Sequence, residues 1–190
     1  MAVSTESEEK TLNISTFASN KQNYQYSSLG LPSLLLLSER GITRSPLAKA
    51  ILSEKIYQSE YFGSIHCFAR GISDIYELCS FDKRMIHRAK LKGFRLSGHC
   101  LKSNLLEISS AKIIIPLDNK SQQYVKCHTY YINGKVMPIN EFLNSTNHRY
   151  IPDPFNTECC KDISYLYDTI IEITENACDE IMSFLPSAFN

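Results

Sequence analysis

The sequence has no excess of charge of either sign and no long hydrophobic run. The 20 Lys and Arg residues balance the 20 Asp and Glu residues, which argues against a broad electrostatic surface for nucleic acid or an anionic membrane. The longest apolar run, Leu34–Leu37, is far shorter than the roughly 20 residues that span a bilayer. Gly and Pro number only 7 each, so collagen-like and low-complexity classes are also excluded.

The sequence also lacks ordered cysteine motifs and a recognisable secretory signal. Its seven cysteines form no Cys-x-x-Cys pair, so we expect reduced thiols and no zinc site. Glu6, Glu8 and Glu9 lie where a secretory signal would carry basic and then apolar residues. These features predict a cytoplasmic protein with no membrane span.

The sequence divides into a polar beginning and one domain. Residues 1–28 are rich in Ser, Thr, Asn, Gln and Glu without a hydrophobic period, which predicts a flexible N-terminal tail. A partner-docking arm would fit this segment, although a solvated extension is the commoner case for a terminus. The remaining residues, 29–190, are about the right number for a single domain.

Apolar strands alternate with helices along this domain. Strands are predicted at residues 31–37, 64–69 and 111–117, with a shorter candidate at 128–132. Helices are predicted from Pro46, over 81–92, 102–108 and 119–126, and from near residue 160 onward, where apolar residues recur at steps of three and four. The alternation predicts an α/β sandwich with a parallel sheet.

The segment from Ser38 to Pro46 joins the first predicted strand to the first helix. A loop at the carboxyl end of a strand and before a helix N-terminus turns its backbone N–H groups toward anions, and the helix dipole adds partial positive charge. Arg44 could hold two oxygens of such an anion with its planar guanidinium. An Arg44 that only pairs at the surface fits this stretch equally well.

This segment resembles the signature of the low-molecular-weight protein tyrosine phosphatase family, an apolar strand followed by Cys-x5-Arg-Ser-Pro and a helix. Here Ser38 is followed by five residues and then by Arg44-Ser45-Pro46. The family also has an Asp-Pro-aromatic sequence before its last helix, which Asp153-Pro154-Phe155 matches. The resemblance covers residues 31–186 and implies a three-layer α/β/α sandwich with a central four-stranded parallel sheet.

The resemblance also implies roles for individual residues. Arg44 corresponds to the arginine that clamps phosphate, Ser45 to the hydroxyl beside the nucleophile, and Asp153 to the acid that protonates the leaving phenolate. Phe155 resembles the aromatic wall for the phosphotyrosyl ring. The rest of the phosphate-binding loop comprises Glu39, Arg40, Gly41, Ile42 and Thr43. The implied ligand is a phosphotyrosine-containing protein or inorganic phosphate, with no cofactor and no metal.

The match fails at the nucleophile, because Ser38 stands where the family has cysteine. A positive loop can lower a thiol pKa from about 8.5 to about 3.5–7.5, whereas a serine hydroxyl needs a neighbouring base, and the loop contains neither His nor Lys. Gly41 and Thr43 also replace the family's loop asparagine and second cysteine. We therefore expect a catalytically impaired relative, a pseudophosphatase that binds phosphate without turnover.

The sequence leaves other interpretations open. The chain could be an active phosphatase in which Ser38 has been substituted for the nucleophilic cysteine, or a divergent phosphomonoester hydrolase with unusual chemistry. Arsenate reduction on the same scaffold is a weaker alternative because it also demands a loop cysteine.

Overall fold

The computed structural model describes residues 30–143, 148–156 and 163–189. The predicted tail, residues 1–28, lies outside the described residues, so the domain boundary at residue 29 stays a prediction. Residue 160, near which we expected the last helix to begin, also lies outside them. The elements described below all fall within the unit Leu31–Asn190.

Four parallel strands form one sheet in the order β2-β1-β3-β4. They are β1 (Ser33–Ser38), β2 (His66–Gly71), β3 (Ile113–Pro116) and β4 (Lys135–Val136). The continuous apolar run Leu34–Leu37 lies in the central strand, where both faces are covered and every one of its side chains is buried. The predicted four-stranded parallel sheet is confirmed.

Helices cover both faces of this sheet. They are α1 (Arg44–Tyr57), α2 (Lys83–Leu91), α3 (Leu105–Ser110), α4 (Asn119–Cys127) and α5 (Ile163–Phe189). Leu34 and Leu36 pack with apolar residues of α1, α2 and α5, whereas Leu35 and Leu37 pack with those of α3 and α4. The three-layer α/β/α sandwich is therefore confirmed. None of the helices described is both long and apolar enough to cross a membrane.

The strand predicted at residues 128–132 is wrong. Thr129–Tyr131 instead forms a 3-10 turn directly after α4, and both of its tyrosines are exposed. The fourth strand begins only after Gly134, where the chain passes close to β3. A Cβ at Gly134 would lie 2.0 Å from the carbonyl oxygen of Ala111, so only glycine permits this approach. The aromatic and β-branched composition of 128–132 is typical of a strand but does not reveal this contact.

Capping residues shift two predicted helix boundaries. The Asp82 side chain accepts hydrogen bonds from the first turn of α2, so this helix begins at Lys83 rather than at residue 81. Asn104 and Glu107 form a reciprocal capping box, so α3 begins at Leu105 rather than at residue 102.

Candidate functional site

The loop from Ser38 to Arg44, called the Ser38–Arg44 loop below, lies at the carboxyl end of the central strand. Neighbouring segments hold its carbonyl groups in place. The Glu39 oxygen accepts from the N–H groups of Ile72 and Ser73, at 3.2 and 3.1 Å, and the Ile42 oxygen accepts from the Asp82 N–H at 2.9 Å. The loop is therefore fastened on its outer side.

These contacts determine where the loop N–H groups point. In a trans peptide the C=O of one residue and the N–H of the next point in opposite directions, and the described chain has no cis peptide. Since the Glu39 and Ile42 carbonyls face the surrounding protein, the N–H groups of Arg40 and Thr43 point the opposite way, toward the inner side of the loop, called the concavity below. The N-terminus of α1 opens onto the same concavity, which makes it favourable for an anion.

Ser38 lies at the floor of this concavity and is buried. Its hydroxyl donates to Ser45 Oγ at 2.9 Å and accepts from the Gly41 N–H at 3.3 Å. The Ser45 hydroxyl in turn donates to the carbonyl oxygen of Arg70 at 3.1 Å. The structure thus brings Ser38 and Ser45 together as the sequence predicts, through a chain of hydrogen bonds that ends on a carbonyl group.

Arg44 is only 3 % exposed and lies between two carboxylates. Its Nη2 is 3.2 Å from Asp118 Oδ2 and 3.3 Å from Asp153 Oδ2. Its Nε atom is also buried and donates no hydrogen bond to any of the described residues. A buried donor of this kind costs free energy unless an acceptor reaches it, so an anion in the concavity would complete the site.

Asp118 is a site residue to which sequence reasoning assigned no role. Besides pairing with Arg44, its Oδ2 accepts from the Glu39 N–H at 2.8 Å, while Oδ1 accepts from the Ser121 N–H at the start of α4. This one carboxylate therefore links the loop, the arginine and a helix N-terminus. The sequence did hold a signal, since Asp118 follows the carboxyl end of β3, the strand beside β1.

Asp153 reaches the loop from a distant part of the sequence. Both of its oxygens accept from Arg40 Nη1, at 2.9 and 3.0 Å, and Oδ1 also accepts from the Phe155 N–H at 3.0 Å. With the contact to Arg44, each carboxylate oxygen accepts at least two hydrogen bonds. The structure therefore places Asp153 beside Arg40 and Arg44, while its role as the acid stays a prediction.

Two aromatic rings accompany Arg40 at the edge of the site. Its guanidinium carbon lies 4.7 Å from the ring centroid of Phe155 and 5.9 Å from that of Tyr76. Arg84 also approaches Phe155, at 5.8 Å. Sequence reasoning did not identify Tyr76, because this residue belongs to a 3-10 turn after β2 that has no distinctive pattern.

The remaining predicted loop residues contribute to the conformation of the loop. Glu39 turns outward to an ion pair with Lys120. Ile42 is half-buried, and Thr43 is buried at the N-cap of α1, where its side chain makes no capping hydrogen bond. Gly41 has a positive φ of 70°, which favours glycine.

Cys100 supports the loop from behind. Its Sγ donates to the carbonyl oxygen of Arg40 at 3.2 Å and lies beside Gly41 and Gly71. Burial raises the pKa of this thiol to about 11. The thiol therefore remains protonated at neutral pH and serves as packing and as a hydrogen-bond donor.

A buried ion pair lies beneath the carbonyl group that receives the Ser45 hydroxyl. The Arg70 guanidinium donates to Glu107 through Nε at 2.8 Å and through Nη2 at 2.6 Å, and both side chains are less than a tenth exposed. Because Glu107 also belongs to the capping box of α3, this pair ties the end of β2 to a helix on the other side of the sheet. Within the described residues, no cluster of His, Cys, Asp and Glu could hold a metal ion.

Comparison with known proteins extends this description. The family model for low molecular weight phosphotyrosine protein phosphatase matches residues 33–188. A Synechocystis protein provisionally named a low molecular weight protein-tyrosine-phosphatase is 23% identical over 154 residues, which are 80% of this chain and 95% of that protein.

Solved structures share the fold at low identity. A protein tyrosine phosphatase from Entamoeba histolytica with Hepes in its active site superposes with a TM-score of 0.74 at 20% identity, covering 82% of this chain and 97% of that one. Bacillus subtilis YfkJ gives 0.73 at 15% identity, with 84% and 98% covered. An arginine phosphatase, YwlE from Geobacillus stearothermophilus, gives 0.65 at 18% identity, with 82% and 94% covered.

Proposed function

The chain belongs to the low molecular weight phosphotyrosine protein phosphatase family, and from that premise we propose that it is a catalytically impaired member. It binds a phosphotyrosine-containing protein, or inorganic phosphate, in the Ser38–Arg44 loop and hydrolyses the ester poorly. The observation that carries the proposal is the surroundings of Ser38. Its hydroxyl is hydrogen-bonded to another hydroxyl and to an amide, neither of which is a base that could take its proton.

The binding half of the proposal rests on Arg44. This side chain is held by Asp118 and Asp153 through Nη2, which leaves the buried Nε donor for an anion oxygen. The inward N–H groups of the loop and those at the start of α1 are further hydrogen-bond donors, and the backbone holds them in fixed positions. The Entamoeba neighbour holds Hepes, a sulfonate, in its active site, and we extend that tetrahedral anion chemistry to this loop.

The catalytic half concerns Asp153 as well as Ser38. An acid that protonates a leaving group must present an O–H, but both Asp153 oxygens here accept hydrogen bonds from Arg40, Arg44 or the Phe155 amide. A leaving-group oxygen would therefore have to displace one of these donors to reach Asp153. In this arrangement Asp153 is better placed to hold Arg44 through an ion pair than to donate a proton.

We also propose a cytoplasmic location. Five cysteines in the described part of the chain are free, and two of these, Cys79 and Cys127, are exposed. Exposed free thiols fit a compartment that keeps them reduced.

A direct test measures binding and turnover separately in the full chain. We expect inorganic phosphate to bind in isothermal titration calorimetry and Arg44→Ala to weaken binding about 10- to 150-fold, since hydrogen bonds to charged groups contribute about 1.5–3 kcal/mol. Lys55→Ala, which removes a partly exposed cation paired with the exposed Asp179, is the matched control and should leave binding unchanged. Failure of the unmodified chain to bind phosphate would contradict the binding role.

Turnover is measured with p-nitrophenyl phosphate at mildly acidic pH. The unmodified chain should hydrolyse it at close to the background rate, and Ser38→Cys should raise the rate, because a thiol in this positive loop ionises readily. Ready turnover by the unmodified chain would contradict the proposed impairment.

The second candidate is an active protein tyrosine phosphatase in which serine replaces the nucleophilic cysteine. It is favoured by the retained contacts between the Ser38 and Ser45 hydroxyls and between Arg44 and Asp153. Full family-like activity of Ser38→Cys would favour this candidate. A partial gain would favour a binding protein whose loop no longer supports efficient chemistry.

A further inference from the structure

We infer that Arg40 determines which phosphate compounds the site accepts. Its guanidinium lies over the ring of Phe155, the residue that the family resemblance assigns to the aryl group of a phosphotyrosine. The site in this conformation therefore favours phosphate groups without an aromatic ring, and aryl phosphates bind only after Arg40 moves. This inference rests on the proposed function, because it concerns selectivity within the same phosphate site.

The contacts of Arg40 show that it is held at the ring rather than free in solvent. Its side chain is 18% exposed, and Nη1 lies 2.9 and 3.0 Å from the two oxygens of Asp153. The guanidinium is 4.7 Å from the Phe155 centroid, within the range of a cation–π contact. Tyr76 borders it at 5.9 Å.

The backbone of Arg40 is fixed as well. Its carbonyl oxygen accepts from the buried thiol of Cys100 at 3.2 Å, and Gly41 beside it packs against Gly71 without space for a Cβ. Moving the guanidinium away from Phe155 therefore depends on rotation of the Arg40 side chain, with loss of the Asp153 pair and the ring contact. The contacts of an aryl ligand would therefore have to compensate for the loss of the Asp153 ion pair and of the cation–π contact.

Arg40 should affect phosphate compounds with an aryl group differently from those without one. A ligand with a small substituent uses the loop N–H groups and Arg44 and has no need of the Phe155 face. An aryl ligand must stack where the guanidinium already lies, because two planar groups cannot cover the same ring face. Removing Arg40 should therefore help aryl ligands, whereas the lost positive charge weakens all dianions alike.

The test uses two phosphonates that resist hydrolysis and differ in the ring. Methylphosphonate and phenylphosphonate are titrated into the full chain and into Arg40→Ala by isothermal titration calorimetry. We expect Arg40→Ala to shift the ratio of their dissociation constants about tenfold in favour of phenylphosphonate, the scale of a partly buried cation–π contact together with an ion pair. Arg40→Lys should shift the ratio in the same direction but less, and it serves as the second variant if the alanine variant does not fold.

Arg84→Ala is the matched control. Arg84 also lies near Phe155, at 5.8 Å, but it pairs with Asp82 and not with Asp153. Its removal should shift the ratio less than the removal of Arg40 does, because Arg84 lies farther from the ring and makes no pair with Asp153.

The outcomes separate this inference from the proposed function. An unchanged ratio in Arg40→Ala and Arg40→Lys, in a chain that binds inorganic phosphate, would overturn only the role of Arg40. Absence of inorganic phosphate binding in the unmodified chain and in both variants would overturn the proposed function and this inference together. Inorganic phosphate binding that appears only when Arg40 is replaced would contradict both, because the unmodified chain is proposed to bind phosphate groups without a ring.

Discussion

Gly41 offers the sharpest test of how the Ser38–Arg44 loop is built. Its φ is +70°, and a Cβ at this position would lie 2.5 Å from Cys100 Sγ and 2.6 Å from both N and Cα of Gly71. The Cys100 side chain could rotate, but Gly71 contributes backbone atoms. That backbone is held by its N–H, which donates to the Leu101 oxygen at 3.0 Å. Gly41→Ala should therefore strain the loop in two independent ways.

The expected loss of stability follows from these two contributions. A left-handed backbone costs an L-residue about 1–2 kcal/mol. Overpacking against atoms that cannot move away adds about 1–3 kcal/mol. The free energy of unfolding of Gly41→Ala should thus fall by about 2–5 kcal/mol.

Equilibrium urea denaturation measures this loss, and Gly63→Ala provides the control. Gly63 has a similar φ of +75°, but nothing lies within 4 Å of the Cβ that would be added. Its alanine variant should lose only the conformational part, about 1–2 kcal/mol. Equal losses in the two variants would refute the contact argument. Adding Cys100→Ala to Gly41→Ala should restore only part of the stability, because the contact with Gly71 remains.

Two further predictions concern the supports of the site. Arg70→Met should lower the free energy of unfolding by about 3–5 kcal/mol, because it leaves the buried Glu107 carboxylate unpaired. Lys55→Met breaks the exposed pair with Asp179 and should cost less than about 1 kcal/mol, so similar losses would contradict this reasoning. Burial raises the pKa of Cys100 to about 11. The contribution of its neutral thiol to the free energy of unfolding is therefore complete below the ordinary thiol pKa and is lost as pH rises through 11. Replacing Cys100 with Ala should make the free energy of unfolding fall less between pH 8 and 11, and an unaltered pH profile would contradict the proposed burial effect.

The central part of the fold was predictable because its signals are local. Leu34–Leu37 is apolar without interruption, and this pattern alone indicates a strand covered on both faces. The start of α1 follows from Pro46 within the first turn. Only the family resemblance assigned Arg44 and Asp153 to one site, since no local rule relates residues 109 positions apart.

The rest of the site depends on long-range contacts that leave no local signal. Tyr76 and Asp118 become site residues only because the ends of β2 and β3 meet the loop on either side of β1. The strand predicted at 128–132 failed for a similar reason, because the sheet accepts its fourth strand only where Gly134 lets two backbones approach.

The structure changes how the substitutions in the loop are interpreted. In the sequence, Gly41 is one more departure from the family's loop, beside Ser38 and Thr43. In the structure, Cys100 and Gly71 occupy the space where any side chain at position 41 would lie, and Cys100 also donates to the Arg40 carbonyl oxygen. Glycine is therefore the residue that this packing requires. These contacts hold the loop in a specific shape beside Arg44, whose buried Nε meets no acceptor among the described residues, and the proposed binding role requires such a fixed loop.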